Sequence, residues 1–125
     1  ICSRVFWMEA VPYVDLLQIT SGADIGVALI QPSSISNTFA LPNKLFEYAL
    51  SGIPTLASDI PNIKKYINKY SLGWCIKPTD LSQQVKIIEQ YQKNKAIKKG
   101  LSFVRPFSLS WEFQNKLFCN FILDG

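Results

Sequence analysis

Short apolar runs alternate along this chain with longer segments whose apolar residues recur at helical spacing, and few architectures satisfy that pattern. The runs are Val5-Phe6-Trp7-Met8, Ile25 through Ile30, Pro54-Thr55-Leu56-Ala57 and Gly73-Trp74-Cys75-Ile76. Each has the length of a strand, and the second is apolar throughout, the pattern of a strand covered on both faces. Between them, Pro12 near the first turn, Val14, Leu17 and the stop at Ser21-Gly22 predict one helix. A second helix occupies residues 41–51 and ends at Ser51-Gly52, after a polar loop over residues 31–38. Ile60, Ile63, Ile67 and Tyr70 mark a third.

Strand and helix in strict alternation predict a parallel sheet with right-handed crossovers. The expected fold class is therefore α/β: a Rossmann-like, doubly wound parallel sheet of about four strands with helices on both faces. Two helices complete the chain. Thr79 or Asp80 caps one carrying Leu81, Val85, Ile88 and Tyr91; Ser110 caps a C-terminal helix in which Phe113, Leu117 and Phe121 recur four apart.

At 125 residues and 48% apolar, the chain can bury a real core. No window approaches eighteen uninterrupted apolar residues, and the first residues show neither a basic start nor a small-residue cleavage site, so the expected compartment is the cytoplasm. Cys2, Cys75 and Cys119 are odd in number and far apart, which argues against a disulfide framework or a zinc site. Histidine is absent from these residues, which excludes imidazole acid–base work and His-based triads within them. The start at Ile1, without methionine and running straight into an apolar run, reads as an excerpt from a longer polypeptide.

In parallel α/β sheets ligands bind beyond the carboxyl ends of the strands, which points to the loops at residues 31–42 and 58–62. The first loop feeds the helix of "LPNKLFEYALSG", residues 41–52. At 100° per residue, Lys44, Glu47, Tyr48 and Ser51 share one face and Leu45, Phe46, Ala49 and Leu50 fall largely on the other. The charged stripe has two readings. One is a solvated surface with Lys44 and Glu47 in a weak intrahelical pair, about 0.2–0.5 kcal/mol. The other is a ligand site: free N–H groups and a partial positive charge at the helix start suit a phosphate, with Lys44 adding a cation. Glu47, one turn on, can accept hydrogen bonds from two neighbouring hydroxyls, as a ribose requires. No GxGxxG or P-loop accompanies it.

"ADIGVALI", "LPNKLFEYALSGIPTLASDIPNIKKYI", "YSLGWCI" and "FSLSWEFQNKLF", in that order, resemble the C-terminal half of GT-B glycosyltransferases, closest to glycosyltransferase family four. The P-x-K-x-x-E-Y segment followed by a small residue, Gly, x and Pro is the most specific part of the likeness. The resemblance implies that residues 1–125 are the C-terminal portion of a donor-binding domain, with upstream strands and an acceptor domain outside them. It further implies that Glu47 holds the ribose of a nucleotide-sugar, that Pro42, Asn43, Lys44 and Leu45 form the diphosphate-facing helix start, and that Asn37, Thr38 and Phe39 belong to the donor-sugar loop. Phe39 stands where the family often has a second glutamate, eight residues before the first. The implied activity is transfer of a sugar from a nucleotide-diphosphate sugar to a saccharide or lipid-linked acceptor in polysaccharide or cell-envelope synthesis, with retention and without a metal or other cofactor. No catalytic residue is assigned.

Residues 61–106 hold ten Lys or Arg against Asp80 and Glu89 alone. A solvated lysine-rich surface is the simpler reading; a patch of Lys93, Lys95, Lys98 and Lys99 on an anionic membrane surface, at its inner face, is the other. No recognition helix or zinc knuckle accompanies the charge, so nucleic acid is not an expected partner. Trp7, Trp74 and Trp111 read as core or interface packing, and Asp59 either approaches a ligand or caps the helix that follows it. The competing class is a non-catalytic α/β module that associates through an exposed apolar edge.

Overall fold

The computed structural model describes residues 4–97 and 106–123. It is an α/β structure with an open three-stranded parallel sheet. In chain order the elements are α1 (Tyr13–Thr20), β1 (Gly26–Ala28), α2 (Ile35–Thr38), α3 (Asn43–Ser51), β2 (Thr55–Ser58), α4 (Pro61–Tyr70), β3 (Gly73–Ile76), α5 (Leu81–Ile97), a 3₁₀ turn (Phe107–Leu109) and α6 (Trp111–Leu123). The strands lie in the order β1-β2-β3, with Val27 beside Leu56 and Leu56 beside Trp74.

The two steps across the sheet run in the same direction, so right-handed crossovers put α3 and α4 on one face. The core lies there: Ala28 and Ala57 from the sheet meet Leu45 and Ala49 of α3 and Ile63 and Ile67 of α4. Gly26 lets α3 approach closely. A Cβ at that position would fall 2.3 Å from Cδ2 of Tyr48, whose hydroxyl donates to the Val27 carbonyl at 3.3 Å. Gly73 opens β3 at φ 146°, where a Cβ would fall 2.0 Å from the Thr55 carbonyl oxygen.

Successive strand residues face opposite sides, so Val27, Leu56 and Trp74 form a row on the other face. Tyr91 of α5 packs edge-on against Trp74 at 5.6 Å, and Leu56 is buried. Val27, at the sheet edge, is left 48% exposed. Burial of this strand on both faces, expected from its unbroken apolar run, is therefore not met at its centre.

The fourth expected strand does not form. Residues 5–8 have no regular structure and are exposed, Trp7 at 94%. A strand needs a hydrogen-bonding neighbour, and among the described residues this run has none. The polar loop at residues 31–38 contains the short helix α2, capped by Ser34, whose hydroxyl accepts from the Asn37 N–H at 3.1 Å.

Asp80 caps α5 through the Gln83 N–H, and Ser110 caps α6 through the Phe113 N–H, as their positions predict. Asp59 does not cap α4, whose N-cap is Ile60 with no side-chain cap; it pairs instead with Lys64 at 2.9 Å. No described helix is long and apolar enough to cross a membrane.

Candidate functional site

Helix α3 starts at a proline. Pro42 is extended (φ −73°, ψ 145°) and supplies no side-chain cap, so the first-turn N–H groups have no side-chain acceptor among the described residues. The helix closes at Gly52 in the left-handed conformation, with the Ile53 N–H returning to the Tyr48 carbonyl at 3.1 Å. Both ends are thereby fixed, and each side chain between them has a defined direction.

Leu45 is fully buried and its N–H donates to the Pro42 carbonyl at 3.1 Å, so it anchors the turn and offers a ligand nothing directly. Asn43 and Lys44 are exposed. The stripe expected to hold Lys44, Glu47, Tyr48 and Ser51 together divides. Ser51 is buried and its hydroxyl donates to the Leu17 carbonyl of α1 at 3.2 Å, while Tyr48 is packed on Gly26. Both serve the core, because α1 and β1 close over that side of α3. Glu47 belongs to the neighbouring stripe with Asn43, Phe46 and Leu50, spaced three and four apart.

That stripe lines a cleft of about 420 Å³. Tyr13 of α1, Tyr66 and Tyr70 of α4, Leu109 of the 3₁₀ turn, and Trp111 and Gln114 of α6 complete it. Phe46 meets Tyr66 edge-on at 5.6 Å, and Tyr66 stacks on Tyr70 at 6.0 Å, so these three rings brace one another. Glu47 is half-buried and is the sole charged side chain among the described lining residues. Lys44 is not part of this lining, and it forms no ion pair with Glu47 among the described residues. The weak intrahelical pair is therefore absent. The negative charge of Glu47 acts on its neighbour: burial first, and Glu47 second, raise the Tyr48 phenol above its ordinary pKa.

The expected sugar loop lies apart from this cleft. Asn37 donates from Nδ2 to Ser33 Oγ at 3.2 Å, and the Thr38 hydroxyl donates to the Ser34 carbonyl at 2.9 Å, so both side chains are engaged in the α2 turn. Phe39 is 59% exposed, and its carbonyl accepts from Asn62 Nδ2 at 2.7 Å, tying the loop to α4.

Beyond the carboxyl ends of the strands is a second crevice of about 360 Å³, reached by Gln31, Asp59 and Lys77, one residue from the end of each strand or near it. The loops expected there are present. Lys77 and the cleft-lining Tyr13, Tyr66, Tyr70 and Gln114 were not expected as site residues; helix spacing within each element gives no sign of which elements meet.

Trp74 packs as expected, whereas Trp7 and Trp111 are exposed rather than core. Of the basic patch, Lys93 is exposed on α5, while Lys98 and Lys99 and the side chain of Lys95 lie outside the described residues, as do Cys2 and the side chain of Phe121. No group of three or more potential metal-ligating side chains occurs among the described residues. Compared with protein-family models, curated proteins and solved structures, the chain matches none.

Proposed function

We propose that this chain is the donor-binding part of a glycosyltransferase that moves a sugar from a nucleotide-diphosphate sugar to a saccharide or lipid-linked acceptor, with retention. The observation that carries the reading is Glu47: a carboxylate with no ion-pair partner among the described residues, half-buried in an aromatic-lined cleft, one turn from a helix start whose N-cap Pro42 supplies no side-chain cap. A carboxylate without a cationic partner has its lone pairs available to the two ribose hydroxyls.

The N–H groups at the start of α3, with the Lys44 ammonium, then face the diphosphate. Charge on that diphosphate grows as the glycosidic bond breaks, so donors fixed there favour the transition state over the ground state. The three parallel strands form part of a Rossmann-like, doubly wound sheet, and the acceptor is held by a further domain at the inner membrane face. Anionic lipid there meets the lysines of α5, Lys86 and Lys93 among them.

The test is calorimetric titration of uridine and guanosine diphosphates and their sugars into the wild type and Glu47→Ala. Weak binding in the wild type, lost in the variant, supports the reading. Equal binding by both overturns the ribose assignment.

A second reading, a non-catalytic module for protein association, draws on a different observation. Val5, Phe6, Trp7, Met8, Tyr13, Val14 and Val27 are all exposed large apolar residues from the first quarter of the chain.

A further inference from the structure

We propose that this chain forms a two-fold symmetric dimer in which the outer face of α6 packs antiparallel against the same face of a second copy, independently of the donor-nucleotide reading. Helix α6 has two working faces. Trp111 and Gln114, on one, line the cleft beside α3. Glu112, Phe113, Lys116 and Leu117, on the opposite side by the helical repeat, line a separate groove of about 440 Å³ together with Phe107 of the 3₁₀ turn. The floor of that groove is apolar: Phe107 meets Phe113 edge-on at 6.0 Å, and Phe107 and Leu117 are 64% and 50% exposed. Among the described residues, the one element that α6 packs against extensively is the 3₁₀ turn before it. A 13-residue helix held by so little is marginal in water, because helices of about 12–15 residues owe most of their stability to tertiary packing. Burial of Phe107, Phe113 and Leu117 against an equal surface supplies that packing.

Charge selects a second copy as the occupant and fixes its direction. Glu112 and Lys116 lie one turn apart on one flank of the apolar stripe; both are exposed, and they form no ion pair with each other among the described residues. In an antiparallel two-fold pair, each flank of the helix meets its own equivalent with the sequence reversed. Glu112 of each copy then faces Lys116 of the other, so the two-fold makes the same ion pair twice. A parallel pair would instead set this charged flank against the apolar Leu117 flank. The antiparallel register also brings the Phe113 rings of the two copies to about 3 Å apart along the helix axis, within stacking reach across the two-fold.

The experiment measures molar mass against concentration by sedimentation equilibrium for the full chain as wild type, Leu117→Glu, Glu112→Lys, Lys116→Glu and the double reversal Glu112→Lys/Lys116→Glu. Far-ultraviolet circular dichroism checks that each variant is folded. The wild type is expected to dimerise at micromolar concentration and Leu117→Glu to be monomeric. Each single reversal should weaken the dimer by about tenfold, since the two-fold repeats every like-charge contact. The double reversal should restore the wild-type affinity, and an equimolar mixture of the two single variants should form a heterodimer. A wild type that stays monomeric at millimolar concentration overturns the proposal and assigns the groove to a different partner. A dimer unaffected by Leu117→Glu overturns it too, because the interface then lies elsewhere. Failure of the double reversal to restore affinity overturns the antiparallel pairing of Glu112 with Lys116, and with it the proposal.

Discussion

The ring of Tyr48 occupies the space that a side chain on Gly26 would need, and its hydroxyl donates to the carbonyl of the next residue, Val27. One contact thus sets both the distance and the rotation of α3 on the sheet, and with them the direction of Glu47. Gly26→Ala should force the ring or the strand to move, at a cost of about 1–3 kcal/mol. Tyr48→Phe keeps the packing and removes the hydrogen bond, for about 1 kcal/mol. Urea unfolding of both variants checks the order, which reverses if the hydroxyl rather than the close approach dominates.

The same tyrosine gives the fold an alkaline limit. Its phenol is raised above the ordinary value near 10 by burial first and by Glu47 second. A raised folded-state pKa means that the folded chain keeps a proton the unfolded chain has lost. The resulting stabilisation is complete below the unfolded value and disappears as pH rises through the folded one. Urea midpoints measured from pH 9 to above the ordinary tyrosine range should fall more steeply for the wild type than for Tyr48→Phe. Parallel curves would remove Tyr48 from the account.

Thr55, at the start of the central strand, is fully buried, and its Oγ1 has no hydrogen-bond partner among the described residues. An unpaired buried hydroxyl is unfavourable, so Thr55→Val, nearly the same shape, should raise stability by about 1 kcal/mol. A lower thermal midpoint would mean that the hydroxyl has a partner in solution.

Cys75 and Cys119 should differ in reactivity. Burial first, and the charge of Asp59 second, push the Cys75 thiol up, partly offset by Lys64. Cys119 is exposed. Site-resolved alkylation with iodoacetamide at neutral pH should label Cys119 several-fold faster, since the thiolate is the reacting form. Faster labelling of Cys75 would contradict its placement beneath α4.

How much was legible in the sequence follows the range of the forces involved. The helix stops at Gly52, the caps at Asp80 and Ser110, and the strand Gly73–Ile76 rest on local backbone chemistry, and the structure has each where the residues put it. The apolar run at residues 5–8 looked like a strand because composition cannot reveal whether a hydrogen-bonding neighbour exists. Val27 looked fully buried for a related reason, since only the position of β1 at the sheet edge exposes it. The place of Glu47 on α3 is legible from helix spacing, but its separation from Lys44 depends on α1, α4 and α6 converging on one side of that helix. Tyr13 and Trp111 are almost a hundred residues apart in sequence, and no spacing rule joins them.

The central claim, that Glu47 receives a ribose, is tested most directly by changing the sugar and the carboxylate together. Affinities of uridine diphosphate and 2′-deoxyuridine diphosphate should be measured for the wild type and Glu47→Ala. Loss of the 2′-hydroxyl should weaken binding to the wild type by about tenfold, the scale of a hydrogen bond to a charged group, and should make no difference in Glu47→Ala. The same preference for the ribose in both proteins would contradict the claim.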